Sequence, residues 1–375
     1  MKILVTGSKG FIGKNLIAEL KYHNNLEIYE FDSDGSSKIL DRYCQDCDFV
    51  FHLAGVNRPE NTAEYMTGNH DCLIALLELL KIHHNTCPVM LSSSIQADLN
   101  NPYGKSKHAA EKALRSYAKE TGSDAYIYRF PNLFGKWGQP NYNSVIATFC
   151  YNIARGYPIR IDNPSAMLEL IYIDDVIQNL IQLLYGKVYM DESGFCYVPQ
   201  VYRVTLGEIA ELIYSFKKSR EDLTIPNMEK ESFSKKLYST YLSYLPEQGF
   251  SYPLKMNEDS RGSFTEFIRT TDRGQISVNI IRPKMVKGNH WHHTKNEKFL
   301  VVSGKGVVQF RKPEEEKIIS YHVSGETLEV VDIPVGYTYN IINIGNSDLI
   351  VLMWCNECFN SEHPDTYPLN VQGEI

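Results

Sequence analysis

The sequence lacks a long hydrophobic run, a block of basic residues and a dense set of cysteines. No stretch of its 375 residues is long and apolar enough to span a bilayer, and the short apolar run near the amino terminus falls far below a signal-peptide core. The formal net charge of −7, without a Lys/Arg cluster, argues against binding to a nucleic-acid polymer. Eight cysteines are too few for a disulfide scaffold. We therefore expect reduced thiols and a cytoplasmic protein.

The length of the chain predicts two domains, because single hydrophobic cores stop growing near ~250–300 residues. The composition shifts towards Tyr, Ser and Pro over residues 239–253, as it does in many connecting segments. We therefore predict a first domain of residues 1–245 and a second of residues 246–375.

A glycine-rich turn follows the first predicted strand, residues 2–6, and a helical pattern begins directly behind it. Gly7, Gly10 and Gly13 have the spacing Gly-x-x-Gly-x-x-Gly. In a dinucleotide-binding turn, such glycines permit the tight turn, the approach of a pyrophosphate and the packing of the helix on the strand. The free N–H groups at the start of the helix then face the phosphates.

Strands and helices continue to alternate along the first domain. This alternation predicts an α/β fold with a doubly wound, Rossmann-type parallel sheet. The predicted elements are further strands at 27–32, 48–54, 89–94 and 125–130, with helices at 63–82 and 103–119.

Three side chains form a candidate reduction site. Tyr103 and Lys107 are four residues apart, so a helix places both on one face, and Ser94 ends a predicted strand. Hydride transfer to a ketone generates an alkoxide, which requires an acid within hydrogen-bond reach. We expect the ammonium group of Lys107 to lower the pKa of Tyr103 from its usual value of ~10.

These motifs resemble the extended short-chain dehydrogenase/reductase family over roughly residues 1–245. The resemblance implies that Tyr103 donates the proton, Lys107 holds the nicotinamide ribose and Ser94 hydrogen-bonds the substrate carbonyl. Extended members mostly act on nucleotide sugars, as epimerases, dehydratases or reductases. The matching segments are TGSKGFIG from Thr6, HLAG from His52, SSS from Ser92, YGKSK from Tyr103 and RFPNLFG from Arg129. The implied cofactor contacts are Gly7, Gly10, Phe11, Ile12, Gly13, Asp32, Leu53, Ala54, Gly55 and Asn132, the last also bordering the sugar.

The choice between NAD(H) and NADP(H) stays open. Asp32 lies where a carboxylate would accept hydrogen bonds from the ribose hydroxyls of NAD and repel the additional phosphate of NADP. The family resemblance described below favours NADPH instead.

Strands dominate the second domain, and turn residues separate them at short intervals. This pattern predicts an antiparallel barrel or sandwich. The predicted strands are 275–281, 298–302, 306–311, 317–323, 327–333 and 350–354.

A histidine motif in this domain resembles the first motif of the cupin family. It contains His290, His292 and Glu297, and on a strand the two histidines point to one face. The resemblance implies a jelly-roll fold, but Tyr339 stands where the second cupin motif has a histidine. Two accounts stay open: zinc held by His290, His292 and Glu297, with water or Tyr339 as fourth ligand, or no metal and a histidine acting as a base. A purely structural role for the histidines is the third alternative.

The segment 259–266 resembles the first strand of nucleotide-sugar 3-epimerases and 3,5-epimerases of the cupin fold. That resemblance implies that Arg261 binds the nucleotide phosphates of the substrate. A surface salt bridge is the alternative role for Arg261.

The order of the two domains, together with LAGVNRP from Leu53, NYNSVIATFC from Asn141 and NHWHHTKNEKF from Asn289, resembles the CapF family of bifunctional capsular polysaccharide biosynthesis enzymes. The resemblance implies that the cupin domain epimerises C3 of UDP-2-acetamido-2,6-dideoxy-β-L-arabino-hexos-4-ulose. The reductase domain then reduces C4 with NAD(P)H to give UDP-2-acetamido-2,6-dideoxy-β-L-talose, and the protein is a homodimer.

Two other functions are considered. One is an NAD(P)-dependent 4-epimerase or reductase whose cupin only binds sugar or forms a dimer. The other is a non-enzymatic sensor of dinucleotides.

Overall fold

The structure is a computed structural model that describes residues 1–229, 232–270 and 272–373. The chain divides into two compact units. The first unit contains Met1–Ser215 and Glu229–Glu247, and the second contains Phe216–Met228 and the chain from Gln248 onward. No helix in the described part of the chain has the length and apolar character needed to cross a bilayer.

The main sheet of the first unit is parallel and has the strand order β2-β1-β3-β4-β5. Its central strands are almost completely buried, as is usual when helices cover both faces of a parallel sheet. The strands are β1 (Lys2–Thr6), β2 (Glu27–Phe31), β3 (Phe49–His52), β4 (Val89–Ser94) and β5 (Ala125–Phe130).

Helices cover both faces of this sheet, which confirms the predicted α/β fold with a Rossmann-like sheet. One core cluster joins one face to the first and seventh helices, and a second cluster joins the other face to the second, fourth and fifth. The helices are α1 (Phe11–Leu20), α2 (Ser37–Cys44), α3 (Glu64–Met66), α4 (Cys72–Ile82), α5 (Pro102–Thr121), α6 (Val145–Arg155), α7 (Ile173–Leu183), α8 (Leu206–Ser219) and α9 (Phe233–Ser243). A small second sheet has the order β6-β7-β8 and consists of β6 (Asn132–Phe134), β7 (Met167–Tyr172) and β8 (Tyr202–Thr205).

The strand order reverses between β1 and β3. After β1 the chain moves outward to β2, and it then returns to pair β3 with the other edge of β1. Such a switch point leaves a crevice at the carboxyl ends of the two strands. The glycine turn that follows β1 and the segment that follows β3 therefore meet at the same place.

The structure corrects three predicted elements of the first unit. The helix predicted over 63–82 is interrupted by a π-helical turn, Thr67–Asp71, between α3 and α4. The strand predicted over 48–54 ends at His52, because the next residues cross beside the glycine turn. The segment 239–253 begins inside α9 and contains a 3₁₀ turn at Glu247–Gly249, so its composition does not mark a structureless linker.

The second unit contains two antiparallel sheets, with the orders β16-β13-β18-β11-β10-β9 and β15-β14-β17-β12-β19. Apolar residues from both sheets form one core cluster, as in a two-sheet β structure. The predicted antiparallel architecture is confirmed, and the jelly-roll topology stays a prediction. The strands are β9 (Asn257–Asp259), β10 (Gly262–Arg269), β11 (Gln275–Ile281), β12 (Val286–Trp291), β13 (Glu297–Ser303), β14 (Lys305–Arg311), β15 (Ile319–Ser324), β16 (Val330–Ile333), β17 (Thr338–Asn343), β18 (Leu349–Cys355) and β19 (Tyr367–Pro368).

Candidate active sites

A cleft of about 470 Å³ opens at the switch point of the first unit. Most of the predicted cofactor and catalytic residues line it. Asp32 and Ala54 are the exceptions: Asp32 accepts a hydrogen bond from the glycine turn, and the backbone of Ala54 lies against Gly7. The predicted residues in the lining are Gly7, Gly10, Phe11, Ile12, Gly13, Leu53, Gly55, Ser94, Tyr103, Lys107 and Asn132.

The glycine turn has no room for side chains at two positions. Gly7 has a φ of +69°, and a Cβ atom there would lie 2.6 Å from the backbone nitrogen of Ala54. A Cβ atom on Gly13 would lie 2.2 Å from the carbonyl oxygen of Gly7. Both contacts are with backbone, so the helix can approach the strand this closely only with glycine.

The amino terminus of α1 is available to an anion. Gly10 is its N-cap residue, no side chain in the described ranges caps it, and its first turn contains no acidic residue. The unpaired N–H groups and the partial positive charge of a helix terminus favour a bound phosphate.

Asp32 follows β2 and holds the glycine turn. Its carboxylate accepts hydrogen bonds from the backbone N–H groups of Lys9 at 2.7 Å and Ser33 at 2.8 Å. The negative charge therefore lies beside the turn, where an adenosine ribose would face it in a dinucleotide-binding crevice.

Tyr103 and Lys107 lie on the first two turns of α5 and face the cleft rather than solvent. The Nζ atom of Lys107 donates to the carbonyl oxygen of Ser92 at 3.0 Å and lies 5.9 Å from the ring centre of Tyr103. Ser94 lines the same cleft, and its hydroxyl acts on the pKa of the Tyr103 phenol as a hydrogen-bonding neighbour. The structure thus brings together all three predicted catalytic residues.

The pKa of Tyr103 differs from the expected direction. Burial raises the pKa of the phenol above its usual value, and the hydrogen bond with Ser94 acts in the opposite direction. The pKa of Lys107 is itself lowered to about 8, because its ammonium group is buried. The expected lowering of the Tyr103 pKa is wrong for this structure, because burial outweighs the influences that lower it.

A buried asparagine that the sequence pattern missed organises the floor of the cleft. Asn69 lies in the π-helical turn, accepts from the backbone N–H of Val56 at 3.0 Å and donates to its carbonyl oxygen at 2.9 Å. A side chain on Gly55 would collide with Asn69 and would approach Nζ of Lys107 to 3.0 Å. A π-helical turn often marks a functional position, but the hydropathy of residues 63–82 did not indicate one.

The second unit contains a cavity of about 450 Å³, lined by His290, His292, Glu297 and Tyr339 among others. The hydroxyl group of Tyr339 lies at the centre of these side chains. Its oxygen is 2.7 Å from Nε2 of His290 and 3.3 Å from Nε2 of His292, and it donates a short hydrogen bond to the carboxylate of Glu297. Tyr339, which stands at the expected histidine position, therefore contacts all three other side chains of the cluster.

Burial keeps His290 without its additional proton and Tyr339 with its proton. The pKa of His290 is lowered to about 4, mainly by burial and secondly by His292, so its imidazole is neutral near pH 7. Burial and the Glu297 carboxylate raise the pKa of Tyr339 well above its usual value, so its phenol keeps its proton. Burial also raises the pKa of Glu297. A neutral base and a protonated acid are thus in contact, which is a pattern of acid–base sites.

The predicted metal ligands do not surround a common ion position in this arrangement. Within residues 1–229, 232–270 and 272–373, no three His, Cys, Asp or Glu side chains are placed to hold a metal ion. His290, His292 and Glu297 instead converge on the Tyr339 hydroxyl.

Arg261 lies in the lining of the same cavity. Its guanidinium group pairs with the carboxylate of Asp259 at 2.6 Å, and about half of each side chain is exposed. The salt bridge considered as the alternative is therefore present, and the Arg261 side chain still borders the cavity.

Two family models match the chain, one in each unit. Residues 3–189 match the NAD dependent epimerase/dehydratase family. Residues 257–367 match the polysaccharide biosynthesis C-terminal domain. The first match supports a nicotinamide cofactor in the cleft of the first unit.

Two relatives match the chain over almost its whole length. A UDP-2-acetamido-2,6-beta-L-arabino-hexul-4-ose reductase of Pseudomonas aeruginosa is 42% identical over 371 residues, which are 99% of each chain. The crystal structure of the capsular polysaccharide assembling protein CapF from Staphylococcus aureus has 54% sequence identity and a TM-score of 0.93, covering 99% of this chain and 100% of that one.

A more distant structure matches the fold of part of the chain. A UDP-glucuronic acid 4-epimerase from Bacillus cereus, solved in complex with NAD, has 19% identity and a TM-score of 0.55. The match covers 67% of this chain and all of the epimerase chain.

Proposed function

The chain belongs to the family of UDP-2-acetamido-2,6-beta-L-arabino-hexul-4-ose reductases and CapF and is a nucleotide-sugar enzyme, and from this premise we propose a two-step reaction. The second unit epimerises C3 of UDP-2-acetamido-2,6-dideoxy-β-L-arabino-hexos-4-ulose. The first unit then reduces the C4 ketone to UDP-2-acetamido-2,6-dideoxy-β-L-talose, for N-acetyl-L-fucosamine and capsular polysaccharide synthesis. The observation that carries the proposal is the meeting of Tyr103, Lys107 and Ser94 in one cleft with the glycine turn.

In the reduction, a bound nicotinamide supplies the hydride. Ser94 donates a hydrogen bond to the C4 carbonyl oxygen and orients it towards Tyr103. Tyr103 transfers its proton to this oxygen as the negative charge develops. Lys107 binds the nicotinamide ribose, and its positive charge favours the phenolate that the proton transfer leaves behind. In this mechanism the raised pKa of Tyr103 keeps the phenol protonated until reaction.

The epimerisation depends on the ketone. A C4 carbonyl acidifies the proton at C3, and the neutral imidazole of His290 is placed to remove such a proton. The Tyr339 phenol, which keeps its own proton, then donates it to C3 from the face opposite to His290, with the substrate carbon between the two side chains. Reprotonation at C3 from the opposite face inverts the centre, and reduction at C4 then removes the acidity and fixes the configuration.

Zinc is the alternative to this acid–base pair. His290, His292 and Glu297 would then be its ligands, and His290 would not act as the base. Two imidazoles and a carboxylate are a donor set that zinc accepts. Nδ1 of His292 is hydrogen-bonded to a backbone carbonyl, an arrangement common in metal-binding imidazoles. When bound, the ion would supply a Lewis acid for the substrate carbonyl. Because the Tyr339 hydroxyl touches all three groups, it would have to yield its place or become a ligand.

Elemental analysis tests this part of the proposal. Zinc that copurifies with the native chain and is lost from His290→Ala would support the metal account, with Tyr321→Phe as a control on an exposed strand position of the same unit. A native preparation that is active in epimerisation without zinc would contradict it and leave the organic acid and base to act alone.

The cofactor proposal contains both NADPH and NADH. The resemblance to CapF favours NADPH, whereas the carboxylate of Asp32 beside the glycine turn favours NADH. The ratio of kcat/KM for the two cofactors decides between them. If Asp32 sets the choice, Asp32→Ser should shift that ratio towards NADPH.

Two further features complete the proposal. All eight cysteines are free, which supports a reducing, cytoplasmic environment. A homodimer is proposed from the family resemblance, and light scattering of the purified protein measures it.

The two steps are separated by incubating the keto-sugar with the protein in deuterated water, without reduced cofactor. We expect deuterium at C3. If no deuterium enters at C3, the alternative applies, in which the protein is a reductase or 4-epimerase and the second unit only binds sugar or forms a dimer. A protein that binds dinucleotide but consumes no NAD(P)H with the keto-sugar would instead be a sensor.

A further inference from the structure

Asp365 clamps the turn that connects β12 to β13. Its carboxylate accepts hydrogen bonds from the backbone N–H groups of His293 at 3.0 Å, Thr294 at 2.9 Å and Lys295 at 2.9 Å. The hydroxyl of Thr294 donates a fourth hydrogen bond at 3.2 Å. One carboxylate thus fixes three successive residues of the turn that leads from the histidine pair to Glu297.

The backbone of Asp365 makes a separate contact with the cluster. Its carbonyl oxygen lies 2.5 Å from Nδ1 of His292. A carbonyl oxygen can only accept, so Nδ1 must carry the proton of this hydrogen bond. In the neutral imidazole, Nε2 is then the unprotonated nitrogen, and it faces the hydroxyl of Tyr339 at 3.3 Å.

The Asp365 carboxyl group is ionised, and the backbone of Asp365 has an unfavourable conformation. Burial acts to raise the pKa of Asp365, but the N–H groups of Thr294, His293 and Lys295 outweigh it and hold this pKa well below its usual range. The φ of Asp365 is +39°, in the left-handed region that few residues other than glycine, asparagine and aspartate adopt. The interactions of the side chain therefore maintain a backbone conformation that is unfavourable on its own.

The chain around Asp365 is anchored to β12 and to the residue Asn289 within it. Strand β19 pairs with His290 and Trp291 of β12, and the N–H of Leu369 donates to the carbonyl oxygen of Asn289 at 2.9 Å. The segment thus places Asp365 at a fixed position beside the cluster.

The turn also directs a cation into the cavity. Lys295 is only 6% exposed, lines the cavity, and has its Nζ atom 5.5 Å from the ring centre of Phe359. Among the residues that the structure describes, no carboxylate forms an ion pair with it. Its charge acts on the nearby Glu297 carboxylate without forming an ion pair with it, and a buried ammonium group of this kind also favours a negative charge on a ligand.

We propose that Asp365 is a positioning residue of the second-unit site, which holds His292 in the tautomer that presents Nε2 to Tyr339 and directs Lys295 towards the negative charge that develops on the substrate. The inference rests on the proposed epimerisation. It assigns no contact between Asp365 and the substrate: its effect passes through His292 and the 293–295 backbone.

The test compares Asp365→Asn and Asp365→Ala with the native chain. Asparagine tolerates the left-handed conformation and has the same size, but its amide group cannot accept from all three N–H groups. Asp365→Asn therefore removes the carboxylate while the backbone can keep its left-handed conformation. A difference between Asp365→Asn and Asp365→Ala then reports on the backbone conformation. Glu362→Gln is the matched control, because Glu362 is exposed in the same segment.

Nitrogen NMR of the full-length protein reports the tautomer directly, with the His292 signals identified by their absence from His292→Gln. We expect Nδ1-protonated His292 in the native chain and the control. In Asp365→Ala we expect a mixture of both tautomers, with a smaller change in Asp365→Asn. In the exchange assay at C3, we expect kcat to fall about tenfold to a hundredfold in Asp365→Ala while KM changes less.

The two proposals fail differently. If the native chain exchanges no deuterium at C3, the proposed epimerisation is wrong, whereas the NMR comparison still reports on Asp365. An unchanged His292 tautomer in both Asp365 variants overturns the positioning role, whatever happens to the exchange rate. If Asp365→Ala does not fold, the spectrum of Asp365→Asn decides.

Discussion

The two candidate sites differ in how much of the chain is needed to build them. In the first unit, Tyr103 and Lys107 come from one helix and Ser94 from the end of a strand nearby in sequence. In the second unit, His290, Glu297 and Tyr339 come from three strands, and Asp365 comes from a segment near the carboxyl end. A site made within one helix is visible as a spacing in the sequence. A site made by distant strands is visible only once their register is known.

The sites also differ in their electrostatics. The first contains one buried cation, Lys107, whose pKa falls to about 8, and it relies on a cofactor for hydride. The second places a carboxylate and two imidazoles around a single phenol, so proton transfer can occur among its own groups. This difference agrees with the proposed division of the reaction, in which the second unit moves protons at carbon and the first adds hydride and a proton across C=O.

The largest expected effect is on the reduction step. Tyr103→Phe removes the only proposed proton donor to the C4 oxygen, and we expect the rate of NAD(P)H oxidation to fall by roughly 10³–10⁴. Deuterium exchange at C3 should be unaffected, because it depends on the second unit. Tyr22→Phe, on the exposed surface of the same unit, is the control. A loss of both activities would show that the sites are not independent.

The converse experiment uses Tyr339→Phe, which removes the hydroxyl at the centre of the second site. We expect exchange at C3 to fall by roughly 10²–10³, while a substrate already inverted at C3 is still reduced. Tyr321→Phe on β15 serves as the control. Exchange at the native rate in Tyr339→Phe would remove Tyr339 from the acid–base pair.

The sequence predicted the first unit well because its signals are local. The glycine spacing, the Tyr–Lys spacing and the strands at 89–94 and 125–130 are each fixed by neighbouring residues, and the structure has β4 and β5 with these limits. The sequence-based prediction was wrong where a contact with a distant residue determines the local conformation. The π-helical turn at Thr67–Asp71 accompanies the hydrogen bonds of Asn69 with Val56, which no periodicity of residues 63–82 can indicate.

The second unit shows the same limit more strongly. The histidine motif placed His290, His292 and Glu297 together, and the departure at Tyr339 was visible from the sequence. That the Tyr339 hydroxyl lies at the centre of the cluster depends on the pairing of β12 with β17. Asp365 was missed because its partners are about 70 residues earlier in the chain, and an isolated aspartate in a polar segment carries no signal of such contacts.

A smaller effect is expected on the stability of the first unit. The pKa of Lys107 is about 8 in the folded protein, whereas an unperturbed lysine, as in the unfolded chain, has a pKa of 10.5. Burial of the ammonium group therefore destabilises the fold below pH 8. This penalty fades as the pH rises towards 10.5. Lys107→Met should therefore increase the free energy of unfolding at pH 7 by about 1–3 kcal/mol, with a smaller gain at pH 9.5, and weaken cofactor binding.

Denaturation at both pH values measures this, with the transition of the first unit identified by its shift on cofactor binding. Lys105→Met, two residues away and exposed, should leave stability nearly unchanged. A less stable Lys107→Met would mean that the hydrogen bond to Ser92 outweighs the cost of burying the charge.

The smallest expected effect concerns the mouth of the second cavity. Arg261 is half exposed and already paired with Asp259, so solvent screens much of what it contributes to a substrate phosphate. We expect Arg261→Ala to raise KM for the UDP-sugar in the exchange assay about tenfold, equivalent to ~1.4 kcal/mol, with kcat changing little. Arg273→Ala, an exposed arginine of the same unit, should leave KM unchanged. Equal KM values for both variants would leave Arg261 with only its salt bridge, and would mean that the second site binds the nucleotide through other groups.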